Sequence, residues 1–136
     1  MSGKVIFYSL SKKFLEREQD LPAEGPARQV IYQTLALGHH IGVIDCLKTA
    51  LSCPLDGFDR WVGKLPPGEA RRKLEGVFKF GEIMIDASHT QLLALALSRA
   101  EAGFEEDELT WTRALMSALA AIEAEPAMYL MVKRRD

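Results

Sequence analysis

The period of apolar positions along this chain changes several times, and each change marks a predicted element. Val5-Ile6-Phe7-Tyr8-Ser9-Leu10 is rich in β-branched and aromatic residues and predicts a strand. Ser11 then stands where a hydroxyl can cap a short helix over Lys12–Gln19. Pro22, Gly25 and Pro26 mark a loop, because proline fixes φ and lacks a donor while glycine tolerates either sign of φ. Residues 27–37 fit two elements. Val30, Thr34 and Leu37 followed by Ile41 have helical spacing, whereas Val30-Ile31-Tyr32 suits a strand. Gly38 and Gly42 flank His39-His40-Ile41 and predict a break or bend, since glycine inside a helix costs about 1 kcal/mol relative to alanine. Val43, Ile44, Leu47 and Leu51 predict an amphipathic helix ending near Pro54.

In the second half the punctuation is clearer. Asp56–Val62 reads as a short helix carrying Phe58 and Trp61, stopped by Pro66-Pro67-Gly68. Glu69–Glu75 reads as another, with Gly76 past its end where a left-handed residue is wanted. Phe78–Asp86 reads as extended, with Ile83 and Ile85 on one face and Glu82, Met84 and Asp86 on the other. Ser88-His89-Thr90-Gln91 fits a capping box opening a helix with Leu93, Leu97 and Ala100 on one stripe, closed by Gly103. The acidic run Glu105-Glu106-Asp107-Glu108 favours the positive end of the next helix, marked by Trp111, Leu115, Leu119 and Ile122 and ended by Pro126. Met128, Leu130 and Val132 alternate with Tyr129, Met131 and Lys133 in a closing strand. Three short strands among several helices predict an α+β fold, a small antiparallel sheet packed against helices.

Length and composition narrow this without naming a function. The 136 residues fit one domain over 1–136, with no internal repeat or low-complexity linker. At 48% hydrophobic and 26% charged the chain has an ordinary globular composition, and roughly two-thirds of its unfolded surface can be buried without disulfide or metal staples. A net charge of −2 removes the overall basic footprint of a nucleic-acid binder. The opening Met1-Ser2-Gly3-Lys4-Val5 does not read as a signal peptide, and the uncharged stretch 29–44 is shorter than the ~20 residues that span a bilayer. Cys46 and Cys53 are therefore read as reduced thiols in a cytoplasmic protein. The basic end Lys133-Arg134-Arg135 reads as a solvated tail.

The densest polar cluster is Gly38-His39-His40-Ile41-Gly42-Val43-Ile44-Asp45-Cys46, which holds every side-chain type that a transition-metal site uses. Its spacing argues against one site, because adjacent histidines diverge by about 100° on a helix or to opposite faces of a strand. Asp45 beside Cys46 would raise a thiol pKa, which disfavours a nucleophile. Asp86 and His89 flank a strand end where catalytic groups often lie, yet strand termination and the capping box account for both. Arg71-Arg72-Lys73 is too short for a nucleic-acid patch, and Glu69 and Glu75 beside it would repel phosphates. No phosphate-binding glycine loop and no Gly-x-Ser-x-Gly elbow is present. The residues make no positive case for an enzyme, and no catalytic residue, metal or cofactor is assigned.

Several segments together resemble a known family. Gly38 to Leu47, Ala70-Arg71-Arg72-Lys73-Leu74-Glu75-Gly76-Val77, Gly81-Glu82-Ile83 with Ile85-Asp86, and Tyr129-Leu130-Met131-Val132 resemble the formate hydrogenlyase maturation protein family of the HycH type, including a paralogous group tied to a second hydrogenase. Lys4-Val5-Ile6-Phe7 and Lys13-Phe14 match as well, so the resemblance runs through essentially the whole chain. It implies a non-catalytic cytoplasmic accessory chaperone for a nickel–iron hydrogenase, with the large-subunit precursor as partner. The motif residues Gly38, His39, His40, Gly42, Asp45, Cys46, Arg71, Arg72, Lys73 and Glu75 then become candidate partner-binding surface. Met84, Tyr129 and Met131 are either core under a helix layer or an open, adaptable sheet face. The alternatives are a nickel carrier or processing enzyme centred on His39, His40, Asp45 and Cys46, with His89 as a further ligand, and a subunit retained in the finished complex.

Overall fold

The computed structural model describes residues 3–11 and 48–136. The expected helix over 12–19, the loop at Pro22–Pro26, the choice between helix and strand for 27–37, and the Gly38–Cys46 cluster lie outside the described residues.

The first strand forms as expected, β1 (Lys4–Ser11), with Val5 and Phe7 fully buried. Its neighbour β2 (Lys48–Pro54) replaces the end of the expected helix. Leu51 and Cys53, two apart, face the core while Ser52 and Pro54 are exposed, a period of two that a helix cannot satisfy. Pairing with β1 from Lys4↔Pro54 to Ser9↔Lys48 supplies the backbone partners, with a bulge opposite Phe7/Tyr8. α1 (Leu55–Gly63) follows directly and buries Leu55, Phe58, Trp61 and Val62.

α2 (Glu69–Phe80) runs past Gly76, where the sequence reading stopped it. Ala70, Leu74 and Val77 form one buried stripe across that glycine, and continuous apolar burial outweighs its cost of about 1 kcal/mol. Gly81 provides the left-handed cap instead, at φ 83°, its N–H donating to the Val77 carbonyl at 2.9 Å. The extended segment therefore shrinks from 78–86 to β3 (Glu82–Ile85).

The capping box at Ser88 does not form. Both the N–H and the hydroxyl of Ser88 donate to Asp86 Oδ1, at 2.9 and 2.6 Å. A carboxylate is the stronger acceptor, so the turn forms around Asp86 and the helix starts at Thr90. α3 (Thr90–Ala100) gives way to a single 3-10 turn, Glu101–Gly103. Its Gln91 side chain reaches across to Glu123 rather than back to the cap.

α4 (Glu106–Ala124) and β4 (Met128–Arg135) complete the order. Among the described residues the sheet has four antiparallel strands ordered β2-β1-β4-β3, one more than expected because β2 joined it. One row across the inner face reads Leu51–Phe7–Val132–Ile83. The opposite face carries Thr49–Tyr8–Met131–Met84 and Ser52–Ile6–Lys133–Glu82. The helices cover the inner face, where Phe7 meets Phe58 and Trp61 at ring-centroid distances of 6.1 and 6.3 Å.

Gly57 on α1 touches α4 without a side chain. A Cβ placed there would stand 2.6 Å from Cη2 of Trp111, a ring held against Trp61 at 5.8 Å. Gly57→Ala is expected to destabilise the protein by about 1–3 kcal/mol, the cost of overpacking. A lowered urea midpoint checks this; an unchanged midpoint would mean that the two helices are free to separate.

Candidate functional site

Of the expected site residues, Arg71, Arg72, Lys73 and Glu75 are described, on the first two turns of α2. Gly38, His39, His40, Gly42, Asp45 and Cys46 lie outside the described residues. The basic triplet divides: Arg71 is engaged locally, while Arg72 and Lys73 line one concavity. Arg71 turns back along its own helix, its guanidinium donating to the Leu65 carbonyl at 3.4 Å and facing Glu75 at 3.6 Å. Arg72 lies between two adjoining concavities. One is lined by Pro67, Gly68, Arg71 and Glu75, the other by Glu69, Lys73, His89 and Leu92.

His89 sits at the rim of the second concavity. Its Nδ1 accepts from the Asp86 N–H at 3.1 Å and lies 3.2 Å from Asp86 Oδ1. Partial burial and the nearby Lys73 ammonium both hold its pKa below the usual histidine value, against the pull of Asp86. The neutral ring is a structural hydrogen-bond acceptor at the β3–α3 turn. It does not present Nδ1 as a free ligand.

Sequence reasoning missed a second polar constellation. Glu108, read in the sequence as part of an acidic run at a helix start, has a fully buried side chain. Its Oε1 accepts from Lys64 Nζ at 2.6 Å and from the Glu105 N–H at 2.7 Å, while Oε2 accepts from Arg60 Nε at 2.9 Å. Arg60 also meets Asp107 at 2.5 Å and Glu105 at 3.3 Å. Burial pushes the Glu108 carboxyl up, but the backbone donor, Lys64 and Arg60 together hold it below the usual carboxylate range. Glu105, Asp107 and Glu108 bring carboxylate oxygens within 4.8 Å of one another, a spacing that suits a cation. Here Arg60 and Lys64 already supply the positive charge, so the cluster is an internal clamp between α1 and α4. The sequence did contain the signal: Glu108, Thr112, Leu115, Leu119 and Ile122 lie on one helical stripe, which puts a carboxylate on the apolar face.

Cys53 is a free, buried thiol whose pKa is pushed up to about 12 by burial and by Asp107. That makes it an inert core residue. Met84, at 40% exposure, and its neighbours Met131 and Tyr8 lie on the sheet face opposite the described helices.

Compared with known proteins, residues 4–134 match the family model described as formate hydrogenlyase maturation protein HycH. The chain belongs to this family. It is 50% identical over 135 residues to the formate hydrogenlyase maturation protein HycH of Escherichia coli K12, covering 98% of each chain. It is also 42% identical over 136 residues to hydrogenase-4 component J of the same strain, covering 97% of this chain and 95% of that one. No solved structure matches.

Proposed function

We propose that the chain is a non-catalytic accessory chaperone, a single domain over 1–136 acting in the cytoplasm in maturation and assembly of a formate hydrogenlyase nickel–iron hydrogenase. Its partner in this reading is the immature large subunit. The observation that carries the reading is the half-identical, end-to-end match to a formate hydrogenlyase maturation protein. Among the described residues the Cys53 thiol is buried, the Glu108 carboxylate is clamped by Lys64, and His89 is engaged in a turn. Among the described residues no helix is long and apolar enough to cross a membrane.

Co-purification of the tagged protein with the large subunit tests the reading. Recovery of the precursor over the mature form is expected. Equal or absent recovery of both forms would defeat it. The name of the component J relative favours a second reading, a subunit retained in the finished complex. That reading predicts the protein in stoichiometric amount in the purified active hydrogenase.

A further inference from the structure

A groove runs between the N-terminal end of α2 and the outer side of α3, beside the Pro66-Pro67-Gly68 turn. One part is an apolar notch of about 130 Å³ against Ala70, Ala96, Leu92 and Leu95. Ala70 and Ala96 are buried and small, which leaves room above them, while Leu95 on the rim is 53% exposed beside buried Ala96 and Leu97. An exposed leucine next to an apolar notch is the form an anchor pocket takes for an incoming apolar side chain.

The flanks of the notch are basic. Arg99 lines it directly, and Arg72 and Lys73 line the concavity that continues from it past Leu92. Each of Arg60, Lys64, Arg71 and Arg134 has a carboxylate within ion-pair distance. Arg72, Lys73 and Arg99 have none among the described residues. The carboxylates nearby are Glu69, at the start of α2 where the helix dipole favours it, and Glu75 beyond Arg72, which Arg71 pairs. Local charge is therefore positive in a chain whose net charge is −2.

We propose that this groove docks an acidic peptide segment, its carboxylates meeting Arg72, Lys73 and Arg99 and an apolar side chain entering the notch beside Leu95. The proposal deepens the partner-binding reading and rests on it, naming the chemistry of the segment that the partner presents. A polyphosphate backbone fits less well, because the notch is apolar and Glu69 faces any phosphate laid along α2. Opposite charges across such a surface steer association and select the register, while the buried apolar anchor slows release.

Fluorescence anisotropy with a labelled peptide alternating Glu and Leu provides the test, using the full chain. Saturable binding is expected, weakening steeply with salt and by about tenfold or more in R72E/R99E. Leu95→Ser should weaken it as well, with little change in salt dependence. Arg72, Leu95 and Arg99 are exposed, and an unchanged circular dichroism spectrum and melting temperature will show that the variants fold. Equal binding of a peptide alternating Lys and Leu would overturn the proposal. So would undiminished binding by R72E/R99E, or tighter binding of a single-stranded oligonucleotide. Precursor co-purification is read separately. Wild-type protein that binds the Glu/Leu peptide but captures no precursor upholds the groove and removes the precursor reading. Equal precursor capture by wild type and R72E/R99E removes the groove and leaves the precursor reading standing.

Discussion

Trp61→Ala is expected to cost about 3–5 kcal/mol of unfolding free energy, the largest loss that any single truncation in this core should produce. Trp61 is 1% exposed and sits where three elements converge. Its ring lies 6.3 Å from Phe7 of β1, 6.2 Å from Phe58 on its own helix and 5.8 Å from Trp111 of α4. Its Nε1 also donates to Thr112 Oγ1 at 3.0 Å. Truncation removes the apolar contacts, opens a cavity bounded by other rings, and takes a donor from a buried hydroxyl. A protein of this size has about 5–15 kcal/mol in total, so the variant will stand close to its unfolding threshold. The urea midpoint and near-ultraviolet circular dichroism measure this. Trp61→Phe keeps most of the volume and should lose much less. Equal losses in the two variants would show that packing is not the source.

Glu108→Gln is expected to cost about 2 kcal/mol. Breaking a buried ion pair ordinarily costs about 3–5 kcal/mol, because it strands a buried charge. Here Arg60 keeps Asp107 and Glu105 as partners, and the Lys64 side chain is 29% exposed, so these pairs and water recover part of that loss. The substitution preserves volume, which separates charge from packing. It should also change the pH dependence. The native carboxyl titrates below its unfolded value of about 4.3, so its contribution is complete above that pH and is lost as pH falls through the native value. The difference between wild type and E108Q in urea midpoint should therefore be full at neutral pH and shrink in acid. A difference independent of pH would mean that the carboxylate charge is not what the clamp uses.

The candidate site was legible in part. Arg71, Arg72, Lys73 and Glu75 stood out in the sequence as a charged helix start, and α2 does begin there. Their division of labour was not legible: Arg71 pairs with Glu75, while Arg72 and Lys73 face the groove. Arg99 and Leu95 carry no local signal of a site, because they lie more than twenty residues from Arg72 and join the groove only when α3 packs beside α2. Ser88 illustrates the limit of local motifs. Its capping-box spacing is correct, but Asp86 competes for the same hydroxyl and wins.

The sequence by itself determined the class of fold, the strands β1 and β4, the helices after Pro54 and before Pro126, and membership of a maturation-protein family. These rest on local periods, on prolines and glycines, and on identities between residues, none of which needs a distant partner. Tertiary structure decided the rest. Residues 48–54 are a strand because β1 offers an edge to pair with, and α2 passes Gly76 because the core continues to Val77. Glu108 is a buried clamp, where its neighbours in sequence are an exposed acidic run, because Arg60 of α1 and Lys64 at its C-cap arrive beside it. Backbone pairing, burial and charge compensation are properties of elements brought together, and their strength depends on a neighbour that local sequence does not contain.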